Sequence, residues 1–146
     1  MRSLKNKEKR ALTDRFPELS LDKKSMLQYD DKLGCYVLDG SLILIVDGDD
    51  LVPFLKSSLD FSRYPSAVID MPAVSFMTRG ADLLRPGVVR YDAFSKDDVI
   101  VVRDEKNGVA LAFMRALVDS SELVSMEKGK IAKTIHYVGD RWWKEF

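Results

Sequence analysis

The chain has 146 residues and a mass of 16.6 kDa, which suits one ordinary domain or two small ones. With 46% hydrophobic, 32% charged and 10% aromatic residues it can build a core, which argues against global disorder. Lys+Arg and Asp+Glu both number 23, so net charge does not announce a nucleic-acid binder, and any basic face must come from segregation of charge. Apolar runs such as Leu42 to Val46 fall far short of the roughly 20 residues a membrane helix needs. The opening residues Arg2, Lys5, Lys7, Lys9 and Arg10, set against Glu8, are followed by no apolar segment, which argues against a signal peptide. Cys35 is the single cysteine, so neither an intrachain disulfide nor a cysteine-rich zinc site is available. The expectation is a soluble, intracellular, cytoplasmic protein.

In chain order, Leu4, Ala11, Leu12 and Phe16 fall near a helical stripe and Pro17 supplies a stop, which predicts a helix over Leu4 to Phe16. Its basic residues are either a solvated face or a contact for an acidic partner. Cys35 to Leu38 and Ser41 to Val46 flank Asp39-Gly40, a pair suited to a type I′ hairpin turn. The second of these strands is apolar almost throughout and is expected to be covered on both faces. Asp47 to Asp50 make an acidic turn, and Leu51 to Leu59 reads as a short helix that tolerates Pro53 in its first turn. Pro65 and Pro72 bracket Ser66 to Met71, and a junction is placed at residue 72, giving an α/β domain over 1–72 and a second domain over 73–146.

Beyond the junction Val74, Phe76 and Thr78 alternate with Ser75, Met77 and Arg79, which predicts a strand. Gly80 to Arg85 would make one or two helical turns, ended by Pro86-Gly87 with the glycine at positive φ. Val88 to Tyr91, Asp98 to Arg103 and Val109 to Leu117 read as strands, the last two around Asn107-Gly108. Ser120 to Met126 fits a short helix capped by Ser120 or Ser121. Lys133 to Val138 and Arg141 to Phe146 around Gly139-Asp140 read as a closing hairpin. Many short strands with one or two small helices predict a β-barrel or pseudo-barrel, so the whole is expected to be α+β.

Catalytic signatures are sparse. His136 is the only histidine, and no nucleophile-elbow sequence accompanies it. It is read as packed or hydrogen-bonded, with stacking on RNA as the functional alternative. A calcium loop counted from Asp47 would need glutamate at its twelfth position, where Ser58 stands, so no metal site is assigned. Phosphate loops of the Gly-x-Gly-x-x-Gly and Gly-Lys-Ser/Thr kinds are missing, and no cofactor is expected. Cys35 reads as a core residue. Trp142 and Trp143 would face opposite sides of a strand, leaving one as a candidate aromatic platform.

The informative stretch is Thr78-Arg79-Gly80-Ala81-Asp82-Leu83-Leu84-Arg85-Pro86-Gly87-Val88. Two glycines bracket a helical turn, arginines stand at either end, and Arg90 lies just beyond. Free N–H groups at the start of such a turn, reinforced by guanidiniums, would seat a phosphate; the bland reading is a structural turn with solvated arginines. Phe76 to Val88 resembles the opening of a PUA domain, the RNA-binding module of pseudouridine synthases and archaeosine transglycosylases. Ile135-His136-Tyr137-Val138-Gly139-Asp140-Arg141-Trp142 resembles its closing hairpin. Ala11 to Pro17, Tyr64-Pro65 and Ile69-Asp70 are similar to a two-domain subfamily. That subfamily holds archaeal stand-alone PUA proteins and the eukaryotic malignant-T-cell-amplified-sequence and ligatin translation factors. Pro72 departs from the glycine usual there, and residues 18–39 match poorly.

The resemblance implies a non-catalytic RNA-binding accessory factor in translation. It would touch tRNA or small-subunit rRNA in initiation or recycling, alongside a SUI1-domain protein on the small ribosomal subunit. Onto this sequence it carries Arg79, Gly80, Ala81, Arg85 and Gly87 as the closest matches for RNA contact, then Arg90, Lys133, His136 and Trp142. Their roles would be phosphate contact and stacking on unpaired bases. Residues 73–146 hold 12 Lys+Arg and 11 Asp+Glu, which permits an RNA surface without demanding one. The alternative is a scaffold that docks a protein such as a SUI1-domain partner without touching RNA. An RNA-modifying enzyme is disfavoured, because residues 1–72 carry no recognisable catalytic constellation.

Overall fold

The computed structural model describes residues 1–19 and 21–146. Two compact units emerge, Met1–Asp60 together with Phe146, and Phe61–Glu145. The first unit contains β1 (Arg2–Ser3), α1 (Asn6–Arg15), β2 (Leu27–Asp30), β3 (Cys35–Leu38), β4 (Ser41–Asp47) and β5 (Asp50–Pro53). It is mostly sheet: the five strands pair in sequence order, all antiparallel. The expected helix is present, and Leu12 on it and Phe16 at its C-cap pack with Leu4, Leu19, Leu27, Ile43 and Leu44. Asp39 (φ 49°) and Gly40 (φ 85°) both take positive φ between β3 and β4, as the type I′ turn requires. Cys35 is fully buried.

Leu51 to Leu59 is not a helix. Gly48, at φ 61°, turns the chain so that Asp50 to Val52 pair with β4 and Val52 becomes fully buried. As the sheet's edge strand, β5 can end in Pro53 without loss of a ladder donor.

The second unit contains β6 (Ser66–Ile69), α2 (Met71–Met77), β7 (Leu83–Leu84), a 3₁₀ turn (Arg85–Gly87), β8 (Val88–Tyr91), β9 (Val99–Asp104), β10 (Ala110–Ala116), a second 3₁₀ helix (Ser120–Val124), β11 (Lys130–Tyr137) and α3 (Arg141–Glu145). The strand order is β7-β11-β10-β9-β6-β8, with β6 and β9 parallel and every other pair antiparallel. β7 and β8 lie at opposite edges of that order, yet only residues 85–87 separate them. The sheet therefore has to curl until its edges meet, which makes the expected pseudo-barrel. Ile69, Leu83, Ile100, Val102, Met114 and Ile131 fill its interior.

The division at residue 61 falls earlier than the junction expected at 72. Ser66–Ile69 is an internal strand of the second sheet, Val101 N–H donates to Pro65 O (2.9 Å), and the Phe61 and Tyr64 rings each meet Phe113 edge-on at 5.1 Å. Three further expectations are corrected. Val74 to Thr78 is not a strand, because Asp70 accepts the Ala73 N–H (2.9 Å) and Pro72 sits in the first turn, so a helix starts there and buries Met77. Gly80 to Arg85 is not helical: Gly80, at φ 82°, ends α2, and the chain runs on extended to pair with β11. Arg141 to Phe146 is not a strand, because Gly139 (φ 101°) breaks β11 and Asp140 Oδ1 accepts the Trp143 N–H (2.9 Å), opening α3. Gly108 alone takes positive φ in the Asn107-Gly108 loop, where the Asp104 carboxylate accepts N–H groups from Asn107 and Val109.

Candidate nucleic-acid interface

The outer corner of the second unit is made by α2, β7 and the Arg85–Gly87 turn, which enclose a cleft of about 280 Å³. Its walls are Pro72, Ala73 and Phe76 of α2, with Leu83, Leu84 and Pro86 opposite. Asp70, Ala81, Asp82 and Gly87 complete it, so it is an apolar groove with two carboxylates at its rim. Phe76 is 56% exposed and Leu84 51%, an unusual display for large apolar side chains in a small unit.

Both glycines sit against close neighbours. A Cβ on Gly80 would lie 2.8 Å from Tyr137 Cζ and Oη, and one on Gly87 would lie 3.0 Å from Ala73 Cβ. Gly87 does not take the expected positive φ; its role is the close approach of the turn to α2, tied by Asp70 N–H donating to Gly87 O (2.9 Å).

Among the described residues, the backbone donors around Gly80 and that of Arg85 are engaged within the fold. The N–H groups of Arg79 and Ala81 donate to Phe76 O and that of Gly80 to Met77 O, each at 3.1 Å, while Arg85 N–H donates to Gly129 O at 2.9 Å. At the start of α2, carboxylates of Asp70 and Glu105 accept the N–H groups of Ala73 and Met71. The phosphate seat expected from backbone N–H groups is therefore already filled from within.

The side chains divide into two groups. Arg85 is half-buried; its Nε donates to Leu123 O (2.8 Å) and Nη1 to Val88 O (3.1 Å), so it clamps the second 3₁₀ helix to β8 instead of waiting for a ligand. His136 is fully buried, with Nδ1 2.6 Å from Asp140 Oδ2, and Trp142, 4% exposed, meets the His136 ring edge-on at 5.8 Å. Neither ring presents a face for stacking, because α3 is a helix that turns Trp142 inward. Burial pushes the Asp140 carboxyl up, but the His136 hydrogen bond and charge, with the N–H groups of Trp143 and Tyr137, outweigh it and hold it below the usual carboxylate value. Arg79, Arg90 and Lys133 are exposed, and among the described residues none of the three has a side-chain hydrogen bond or ion pair. Arg79 follows Phe76 by three residues, in the turn after α2. Arg90 stands on β8 opposite Val68, and Lys133 on β11 opposite Arg115. The structure thus brings Arg79, Gly80, Ala81 and Gly87 together at one corner and sets Arg90 and Lys133 on separate strands.

Sequence reasoning passed over Phe76 because it placed that residue in a strand. Asp70 followed by Pro72, a cap and a first-turn proline, was the signal that would have found it.

Residues 65–138 match the PUA domain. The chain belongs to the PUA-domain family. Translation machinery-associated protein 20 of Eremothecium gossypii is 30% identical, across 97% of this chain and 86% of that one. Its namesake in Saccharomyces cerevisiae is 29% identical, across 84% and 74%. The crystal structure of a PUA domain from Aeropyrum pernix K1, a tartrate complex, superposes with a TM-score of 0.78 at 24% identity, covering 99% of this chain and 89% of that one. That likeness extends the shared fold over both units.

Proposed function

We propose that this PUA protein is a non-catalytic RNA-binding accessory factor of the translation machinery, with the α2–β7 cleft as its RNA contact. The observation that carries the reading is the edge of that cleft. An exposed aromatic ring, Phe76, lines an apolar groove, and an unengaged guanidinium, Arg79, follows it by three residues in the turn that ends α2. A base can lie against the ring while the guanidinium takes the adjoining phosphate. The kinship with translation machinery-associated proteins supports a place on the translation machinery; on this proposal the target would be tRNA or small-subunit rRNA, in initiation or recycling, with a SUI1-domain protein as companion. Arg90 and Lys133 would contribute long-range attraction.

A second reading has an observation of its own. The cleft is lined mainly by carbon, Asp70 and Asp82 sit at its rim, and Arg85 is spent inside the fold. Such a groove also suits an apolar side chain of a protein partner. Crosslinking of the full chain to total RNA and ribosomes decides, with Phe76→Ala and Arg79→Glu as variants. RNA crosslinks should fall at least tenfold in either variant while the fold is kept. Equal crosslinking by all three proteins rejects the cleft as an RNA site, and retention of a SUI1-domain protein in an RNA-independent, Phe76-dependent manner establishes the second reading.

A further inference from the structure

The chain's net charge of zero hides a segregation inside the first unit. Residues 1–24 hold eight Lys+Arg against four Asp+Glu, and residues 25–60 hold two against seven. The topology sends the two groups to opposite ends of the five-stranded sheet. Leu4 N–H donates to Leu27 O (2.8 Å), so α1 begins at the end where β2 begins. Lys9 Nζ donates to Ser25 O (2.9 Å), which holds the 22–25 turn against the first half of α1. Lys5, Lys7, Lys9, Arg10, Lys23 and Lys24 therefore gather at that end. At the other end Asp30 pairs across to Cys35, Asp47 to Asp50, and Val46 N–H donates to Gly34 O (2.8 Å), which collects Asp30, Asp31, Asp47, Asp49 and Asp50.

Three carboxylates near these cations are already occupied, and Asp14 stands one helical turn beyond Arg10 toward the far end of α1. Glu8 is bound by Arg2 at 2.9 Å, Asp22 accepts N–H groups of its own turn at Lys24 and Ser25, and Asp39 accepts the Met26 N–H (2.8 Å). Among the described residues, Lys5, Lys7, Arg10, Lys23 and Lys24 form no ion pair, and all five are exposed. Lysines in the first turns of α1 also stand against the positive pole of the helix, a placement that works against stability.

We propose that this basic end is a second polyanion contact, one that takes the sugar–phosphate backbone of RNA without reading its bases. The inference rests on the RNA-binding reading of the cleft and adds a contact to it. Two features favour RNA over an acidic protein. Five of the six cations are lysines, which protein interfaces deplete, and several unpaired charges spread over a helix and a turn match a repeating phosphate chain. Tied to one chain, two modest contacts give a joint affinity that neither reaches alone.

The test uses the full chain and a fluorescein-labelled single-stranded RNA of mixed sequence, with affinity measured by anisotropy across a salt series. The variants are Lys7→Gln/Arg10→Gln/Lys23→Gln/Lys24→Gln and, separately, Arg79→Glu. Every cation that no longer meets a phosphate lowers the slope of log affinity against log salt by about 0.7, so the quadruple variant should be shallower by about 3 and weaker on the order of a hundredfold near 0.1 M salt. Its denaturation midpoint should match or slightly exceed the parent's, because none of the four side chains bonds within the fold and Lys7 opposes the helix dipole. If the quadruple variant keeps parental affinity and slope while Arg79→Glu loses binding, the basic end is overturned and the cleft stands. If the parent binds no RNA, both fall. If a polyglutamate peptide of equal charge binds the parent as tightly as the RNA does and the quadruple variant loses it, the end is a protein site and the RNA assignment is overturned.

Discussion

Replacing Gly80 with alanine should destabilise the second unit through two separable effects. Gly80 sits at φ 82°, where an L-residue costs about 1–2 kcal/mol. Its new Cβ would also stand 2.8 Å from Tyr137 Cζ and Oη and 3.0 Å from Cε1, so the phenol ring or the backbone has to move. Tyr137 is packed against the barrel core, and forced repacking of this kind costs roughly 1–3 kcal/mol. The expected total is about 2–5 kcal/mol. Gly108 in the same unit supplies the control: its φ is 68°, nothing lies within 4 Å of its Cβ position, and Gly108→Ala should cost only the backbone part, about 1–2 kcal/mol. Urea denaturation of both variants, and of each combined with Tyr137→Ala, separates the effects. With the ring gone, Gly80→Ala should fall to the cost of Gly108→Ala, while Gly108→Ala should be unchanged by Tyr137→Ala. If Gly80→Ala costs no more than Gly108→Ala, or shows a coupling to Tyr137 below about 0.5 kcal/mol, the steric account of this glycine is wrong.

Other outcomes follow from the same geometry. Arg85→Lys should lose the bonds to Leu123 O and Val88 O and destabilise the unit by about 2–4 kcal/mol, with the salt dependence of RNA binding unchanged; a shallower salt slope at full stability would make Arg85 a phosphate ligand instead. Phe76→Ala should leave the denaturation midpoint within about 0.5 kcal/mol of the parent, since surface changes of this kind are small, yet weaken RNA binding by about 1–3 kcal/mol; loss of stability without loss of binding would contradict the stacking role. Asp140 has a folded value below the ordinary 3.8, so its contribution is complete above that value and lost as pH falls through the lower folded one. The stability gap between the parent and Asp140→Asn should therefore narrow on acidification below about pH 4; a gap that holds constant down to pH 2 would refute the role given to this carboxylate.

The elements legible in the sequence are those decided by neighbours along the chain. Asp39-Gly40 fixes its turn because both residues accept positive φ, and α1 follows from its own apolar stripe and Pro17. The barrel was legible from many short strands, though the reason it closes, two sheet edges joined by three residues, belongs to topology. Three of the misread segments were settled by a local stop or cap whose weight periodicity does not register. Asp70 and Pro72 started a helix where alternation suggested a strand, and Asp140 with Gly139 did the same at the C-terminus. For residues 51–59 the deciding partner was β4, which turned a helical spacing into an edge strand.

The candidate site followed the same division with a consequence for function. Gly80, Gly87 and Arg85 stood out in the sequence through their residue types and spacing around a tight turn, and the packing of the unit accounts for each of them. One glycine makes room for Tyr137, the other for Ala73, and the arginine satisfies two carbonyl groups. His136 and Trp142 are likewise accounted for by each other and by Asp140. A ligand would then be left to exposed side chains, and at this corner the proposed contacts are Phe76 and Arg79. On the proposed reading Gly80, Gly87 and Arg85 hold the shape of the corner while Phe76 and Arg79 touch what enters the groove, so substitutions in the first set should move stability before affinity, those in the second affinity alone.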